Sequence, residues 1–314
     1  MPLLKARPDL PTRGRRKNLA IIAGYLILAA GGYLFFRHMD GRAVLRALAQ
    51  TRPAGLVVAC LLTLGQLACR ASVFRTLILP LVWLPWLRAQ RFMLASAAAT
   101  ALVPGRAGEF MRAYVLKRDD HVALASTVAV TAVEKMVEVL ALALVLAPVP
   151  FLVPHLPGWV RKSLLLTAAL AAGLMLSAVV LARRRKLPRW LTSFGAGLET
   201  VRRPALVGRA LLASIGSWLI DLACLLAVMH AVGVDAPAAS GMLVILAVNL
   251  AIAIPVVPGN VGTFELGAIA ALQPFGVSYE QSLAVGLLYH LAQVIPIAVL
   301  ALLDSRFVVS LAKH

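Results

Sequence analysis

Apolar runs dominate the chain. Stretches near residues 19–36, 54–78, 122–147, 163–182, 209–232 and 281–303 are apolar enough, and about long enough, to cross a bilayer as helices. Period-two alternation is absent, which argues against a β-barrel. Residues 37–53 alternate bases with Val44, Leu45, Ala47 and Leu48, the pattern of a short helix lying on a membrane surface. Two further apolar segments, 88–118 and 241–273, are each interrupted in the middle by Pro and Gly.

Those two interruptions are related. Leu102-Val103-Pro104-Gly105-Arg106-Ala107-Gly108-Glu109-Phe110 is echoed by Val256-Val257-Pro258-Gly259-Asn260-Val261-Gly262-Thr263-Phe264-Glu265, at an offset of 154 residues, about half the chain. The pattern predicts a membrane protein built from two related halves, about 19–147 and 163–303. In such folds, paired Gly/Pro-interrupted segments point to a binding site near the bilayer midplane.

Charge then chooses the topology. Residues 183–209 carry eight bases, and the tail at 1–18 carries six. If segment 88–118 enters and returns on one side, both clusters are cytoplasmic, together with Arg88, Arg91, Lys117 and Arg118. If it crosses once, the cluster of eight faces outside. The positive-inside rule prefers the return. Arg37, Arg42, Arg46 and Arg52 then lie on the outer side, where a surface helix lets them snorkel to headgroups. The expected fold is all-α and polytopic: about six spanning helices plus two re-entrant helical hairpins, as an inverted repeat. Residues 1–18 form a cytoplasmic basic tail, residues 19–314 a single membrane domain, and both termini are cytoplasmic.

Composition narrows the class. Hydrophobic residues make up 61% and charged residues 14%, too little charge for a soluble globule of this size. The net charge of +18 invites a nucleic-acid reading, but the bases follow the positive-inside pattern instead. Cys60, Cys69 and Cys224 are scattered in apolar segments and give no disulfide framework and no metal spacing. The basic N-terminus followed by an apolar run resembles a secretory signal. Arg37-His38-Met39-Asp40 offers no small-residue cleavage site, so the expectation is an uncleaved first helix.

Each Pro-Gly element ends one half-helix and starts another, presenting free N–H groups at mid-depth. Gly105, Gly108, Gly259, Asn260 and Gly262 would shape this anion site, and Arg106 would add a guanidinium fork suited to phosphate. Glu109 and Glu265 fall in the first turn of each returning half-helix, either stabilising its dipole or acting as a gate or proton carrier. Polar residues recur at helical spacing: Thr63, Gln66 and Arg70; Thr127, Thr131, Glu134 and Glu138, with Lys135 beside them; Ser214, Ser217 and Asp221; Tyr289, His290 and Gln293. Isolated charge in hydrocarbon is costly, so these groups must face one another or water. Arg75 and Arg112, near helix ends, read by position as interfacial anchors. His290 has no second ligand at metal spacing, no nucleotide-binding Gly-rich loop occurs, and no cofactor is implied.

Pro104-Gly105-Arg106-Ala107-Gly108-Glu109-Phe110-Met111-Arg112, then Glu134-Lys135, then Pro258-Gly259-Asn260-Val261-Gly262-Thr263-Phe264-Glu265, resemble the transmembrane region of lysylphosphatidylglycerol synthases, from about residue 19 to 305. That region also exists as stand-alone flippase-like proteins. The resemblance implies lipid flipping, and marks Arg106, Glu109, Arg112, Glu134 and Glu265 as functional positions. The chain ends soon after its last predicted helix, so the expectation is the flippase-like part without the soluble aminoacyl-transfer domain.

The expected function is therefore an inner-membrane lipid transporter of a bacterial type of cell, not an enzyme. Its partner is a membrane lipid with an anionic or phosphate-bearing headgroup, and no nucleic acid. Two alternatives stand beside it. One is a membrane enzyme on a lipid-linked phosphate, with Glu109 or Glu134 as general base. The other is a non-catalytic partner in envelope-lipid synthesis.

Overall fold

A computed structural model describes residues 41–102, 107–153, 158–183, 192–252, 260 and 262–304. The predicted first span, the basic tail, and Gly105, Arg106 and Gly259 lie outside the described residues. The chain falls into two compact units, Met1–Arg42 and Ala43–His314, and the second carries the helical bundle.

The described residues form helices and no strand. They run α1 (Gly41–Ala49), α2 (Pro53–Ile78), α3 (Trp86–Leu102), α4 (Ala107–Asp120), α5 (Leu124–Leu146), α6 (Gly158–Arg183), α7 (Thr192–Gly197), α8 (Pro204–Val232), α9 (Ala238–Ile252), α10 (Thr263–Leu272) and α11 (Tyr279–Leu303). Five helical stretches are long and apolar enough to cross a membrane: Pro53–Ile78, Leu124–Leu152, Val160–Ser177, Pro204–Val232 and Tyr279–Leu303. They coincide with the five predicted spans that fall among the described residues. The protein is an all-α, multi-pass membrane protein.

The element order repeats. A long helix, two short helices and a long helix (α2 to α5) recur as α8 to α11. Packing follows the repeat: α2 lies along α8, α5 packs on α8 as α11 packs on α2, and α3–α4 and α9–α10 each pair off. Glycine makes both pairings close. A Cβ on Gly108 of α4 would strike the Ser96 carbonyl of α3, and one on Gly267 of α10 would sit 2.8 Å from the Val248 backbone nitrogen of α9. Gly262 leads into α10 with φ +87°, a conformation that glycine adopts without penalty.

Contacts at the helix ends fix their directions. Gly55 at the start of α2 packs on Ala231 at the end of α8, where the Arg52 N–H also donates to the Ala231 carbonyl at 2.9 Å. At the other end of α2, Thr200 donates to the Leu77 carbonyl at 2.6 Å. Near the same end, Arg75 Nε donates to the Leu84 carbonyl at 2.9 Å. Arg88, near the start of α3, holds Asp120, at the end of α4, through two hydrogen bonds of 2.7 and 2.8 Å. Arg91 reaches Asp304 after α11 at 2.9 Å. The outer ends of α3 and α4 therefore meet, and α8 runs opposite to α2. Segment 183–208, read from sequence as a basic loop, contains α7 and a 3-10 turn at Leu198–Arg202, with Gly197 and Leu198 buried.

Candidate functional site

Between the two halves lies one polar cavity of about 310 Å³. Its lining comes from both halves, and it gathers the polar stripes that helical spacing singles out. Arg70, Glu109, Arg112, Glu134, Lys135, Glu138, Asp221, Asn260 and His290 all reach it.

The first half supplies locked ions. Arg112 projects from α4 and is only 2% exposed. Its Nη1 stands 3.2 and 3.4 Å from the two carboxylate oxygens of Glu134 on α5 and 3.0 Å from the Met93 sulfur. Its guanidinium lies over the Phe74 ring, 4.6 Å from the centroid. The anchor reading of Arg112 is overturned. Because α3 and α4 pair off, the face of α4 that carries Arg112 is packed inside the protein, while Phe110 and Tyr114 on another face stay exposed. Beside Glu134 in sequence, Lys135 bridges Glu109 at 3.2 Å and Glu138 at 2.9 Å. Glu109 thus combines a place in the first turn of α4 with an ion pair across to α5. The Trp218 indole donates to the Glu138 backbone carbonyl at 3.0 Å and ties α8 to this wall.

The second half supplies carboxyls met by neutral donors and an imidazole. Asp221 of α8 is buried and accepts from the Tyr289 hydroxyl at 2.9 Å and the Gln293 amide at 2.8 Å, both on α11. Glu265 does not itself line the cavity. It stands behind it, with Oε1 3.6 Å from His290 Nδ1, while its buried Oε2 has no hydrogen-bond partner among the described residues. Phe264 stacks on the imidazole at 4.4 Å and holds its ring plane.

Two of the predicted residues also join helices. Thr63 donates to the Ala292 carbonyl at 3.0 Å and joins α2 to α11. Gly108 permits the close contact between α3 and α4. In addition, Met93, Ser96, Thr100, Trp218 and Asn249 line the cavity although the sequence pattern does not single them out. Ser96 and Thr100, four residues apart on α3, form a stripe of the same kind as the others.

The sequence profile described as lysylphosphatidylglycerol synthase TM region matches residues 21–301. No curated protein gives a significant match to the chain. The matched stretch takes in every cavity-lining residue, and with it the chain belongs to the lysylphosphatidylglycerol synthase TM region family, as an integral membrane protein with a lipid-related function.

Proposed function

We propose that the protein is a lipid transporter of the flippase-like kind, which takes a phosphate-bearing headgroup into the cavity between its two halves while the lipid chains stay in the bilayer. In this reading α3–α4 and α9–α10 are re-entrant hairpins that dip from opposite faces, so the cavity sits near mid-depth. Both termini are cytoplasmic, in a bacterial-type inner membrane.

The observation that carries it is the charged cavity itself. A charge at mid-bilayer costs roughly 2.5–3.5 kcal/mol even on lenient scales. Apolar side chains of similar volume pack a helical bundle at least as well. Keeping three cations and four carboxylates around one space is therefore costly, unless that space receives a polar ligand. Its volume of about 310 Å³ lies at the lower end of ligand pockets, roughly 300–1,000 Å³, which suits a headgroup rather than a whole lipid.

The test uses the full chain in vesicles holding fluorescent phosphatidylglycerol, with dithionite to bleach the outer leaflet. Protein-containing vesicles should expose the inner-leaflet probe faster than protein-free ones, and the recovered lipid should be chemically unchanged. Unaltered rates would overturn the transport reading. A modified lipid would establish the enzyme alternative.

A further inference from the structure

Three cations of the described residues line the cavity, and their circumstances differ. The Arg112 charge is taken by Glu134, and that of Lys135 by Glu109 and Glu138. Arg70, half-buried on α2, has no ion pair and no hydrogen bond among the described residues. Two carboxyls stand within its electrostatic reach, those of Glu138 and Asp221. Neither is bonded to it: Glu138 turns to Lys135, and Asp221 accepts from Tyr289 and Gln293. Arg70 also borders a second, water-sized chamber of about 10 Å³ that includes Ser214, Ser217 and Trp218.

A guanidinium carries five N–H donors and cannot shed its charge. With no partner among the described residues, its donors are available to an incoming anion, which would also offset the cost of a charge inside a membrane protein. Its planar fork matches two oxygens of one phosphate, which an ammonium cannot do. We propose that, of the cavity's described cations, Arg70 is the one that receives the phosphate of the ligand, with Arg112 and Lys135 serving as fixed, already neutralised walls. The phosphate belongs to a lipid headgroup in so far as the transport reading holds, on which this inference rests for its source. The chemistry alone, a single phosphate on a guanidinium fork, is shared by free phosphate.

The experiment is calorimetric titration of the full chain in detergent with dihexanoyl phosphatidylglycerol, dihexanoylglycerol and inorganic phosphate. The parent should bind the phospholipid and not the neutral diglyceride. Arg70→Gln should weaken binding about tenfold or more, and Arg70→Lys nearly as much. Removing one charge between two carboxyls could impair folding. The charge-balanced pair Arg70→Gln/Glu138→Gln therefore serves as the second variant, and should also lose binding while melting near the parent. If Arg70→Lys binds like the parent, Arg70 is a general counter-charge and the proposal falls. It falls equally if the phospholipid and the diglyceride bind alike, or if Arg70→Gln keeps its affinity. Inorganic phosphate binding as tightly as the phospholipid, with the same Arg70 dependence, assigns the receptor to free phosphate. Arg70-dependent binding without movement in vesicles sinks the transport reading and leaves Arg70 in place. Movement with Arg70-independent binding does the reverse.

Discussion

Arg112 and Asp221 face one cavity from opposite halves of the repeat, and they are held there in different ways. Around Arg112, every close partner is an ion or a soft, polarisable group: Glu134, the Met93 sulfur and the Phe74 ring. Around Asp221, the bonded partners are a hydroxyl and an amide, and no Lys or Arg of the second half lines the cavity among the described residues. The two halves share helix order and close glycine packing, so the scaffold is common property. Their polar residues are not. Apart from Arg70, the first half provides permanent charges already neutralised within it, and the second provides the Asp221 carboxyl, neutral donors and one imidazole. A headgroup between them would therefore meet two chemically distinct walls, which would give it a preferred orientation.

The sharpest way to break the comparison is to remove Glu134. Glu134→Leu leaves the Arg112 charge, 2% exposed, without its carboxylate. Breaking a buried pair from one side costs roughly 3–5 kcal/mol, whereas replacing both members by apolar groups is often near neutral. Glu134→Leu should thus lower the melting temperature in detergent far more than Arg112→Met/Glu134→Leu does. If the single variant melts like the parent, the first wall is not a locked unit.

The common scaffold predicts the next largest effect, and predicts it twice. Gly108→Val and Gly267→Val each force a branched side chain into the backbone of the facing helix. Overpacking of this kind costs roughly 1–3 kcal/mol. Both should lower the melting temperature to a similar extent. A large loss at one glycine and none at the other would show that the two helix pairs are not equivalent.

These glycines also mark what is legible in the sequence. Hydropathy locates the described spans, and the repeated Pro-Gly elements locate the two broken segments, because Pro and Gly act on local backbone. Helical spacing singles out Glu134, Glu138, Arg70 and Asp221, because charge in an apolar setting has few places to go. It misplaces Arg112, whose depth depends on α3 and α4 pairing off, a tertiary fact that position along one helix does not carry. Phe74 and Met93 stay invisible for the same reason: an aromatic ring or a thioether in an apolar helix is ordinary until a guanidinium lands on it. Within 183–208, the run of bases masks Gly197 and Leu198, whose burial turns part of the expected loop into packed helix.

Asp221→Asn sharpens the contrast from the other wall. The amide oxygen still accepts from Tyr289 or Gln293, while the charge assistance and the attraction to Arg70 are lost. Hydrogen bonds to charged groups are worth roughly 1.5–3 kcal/mol and neutral ones roughly 0.5–1.5, so the expected cost is about 1 kcal/mol. Melting measured beside Glu134→Leu should show the smaller drop here. A cost equal to that of Glu134→Leu would mean that the second wall depends on its charge as the first does.

The smallest effect is expected outside the cavity, at the base where α3 and α4 meet. Asp119 accepts from Arg118 at 2.7 Å and lies 3.7 Å from Arg88, but its side chain is 36% exposed. The Arg118 hydrogen bond holds the Asp119 carboxyl below its ordinary value of 3.8. A depressed carboxyl contributes stability that is present above the unfolded value and is lost as pH falls through the folded one. Solvent and salt screen so exposed a pair, and Asp119→Asn should cost only about 0.5 kcal/mol at neutral pH. The difference in melting temperature between parent and variant should shrink as pH drops below 3.8 and should also shrink in high salt. A loss at neutral pH rivalling that of Glu134→Leu, or one indifferent to pH and salt, would erase the distinction between charges that only dress the helix ends and charges that the cavity is built around.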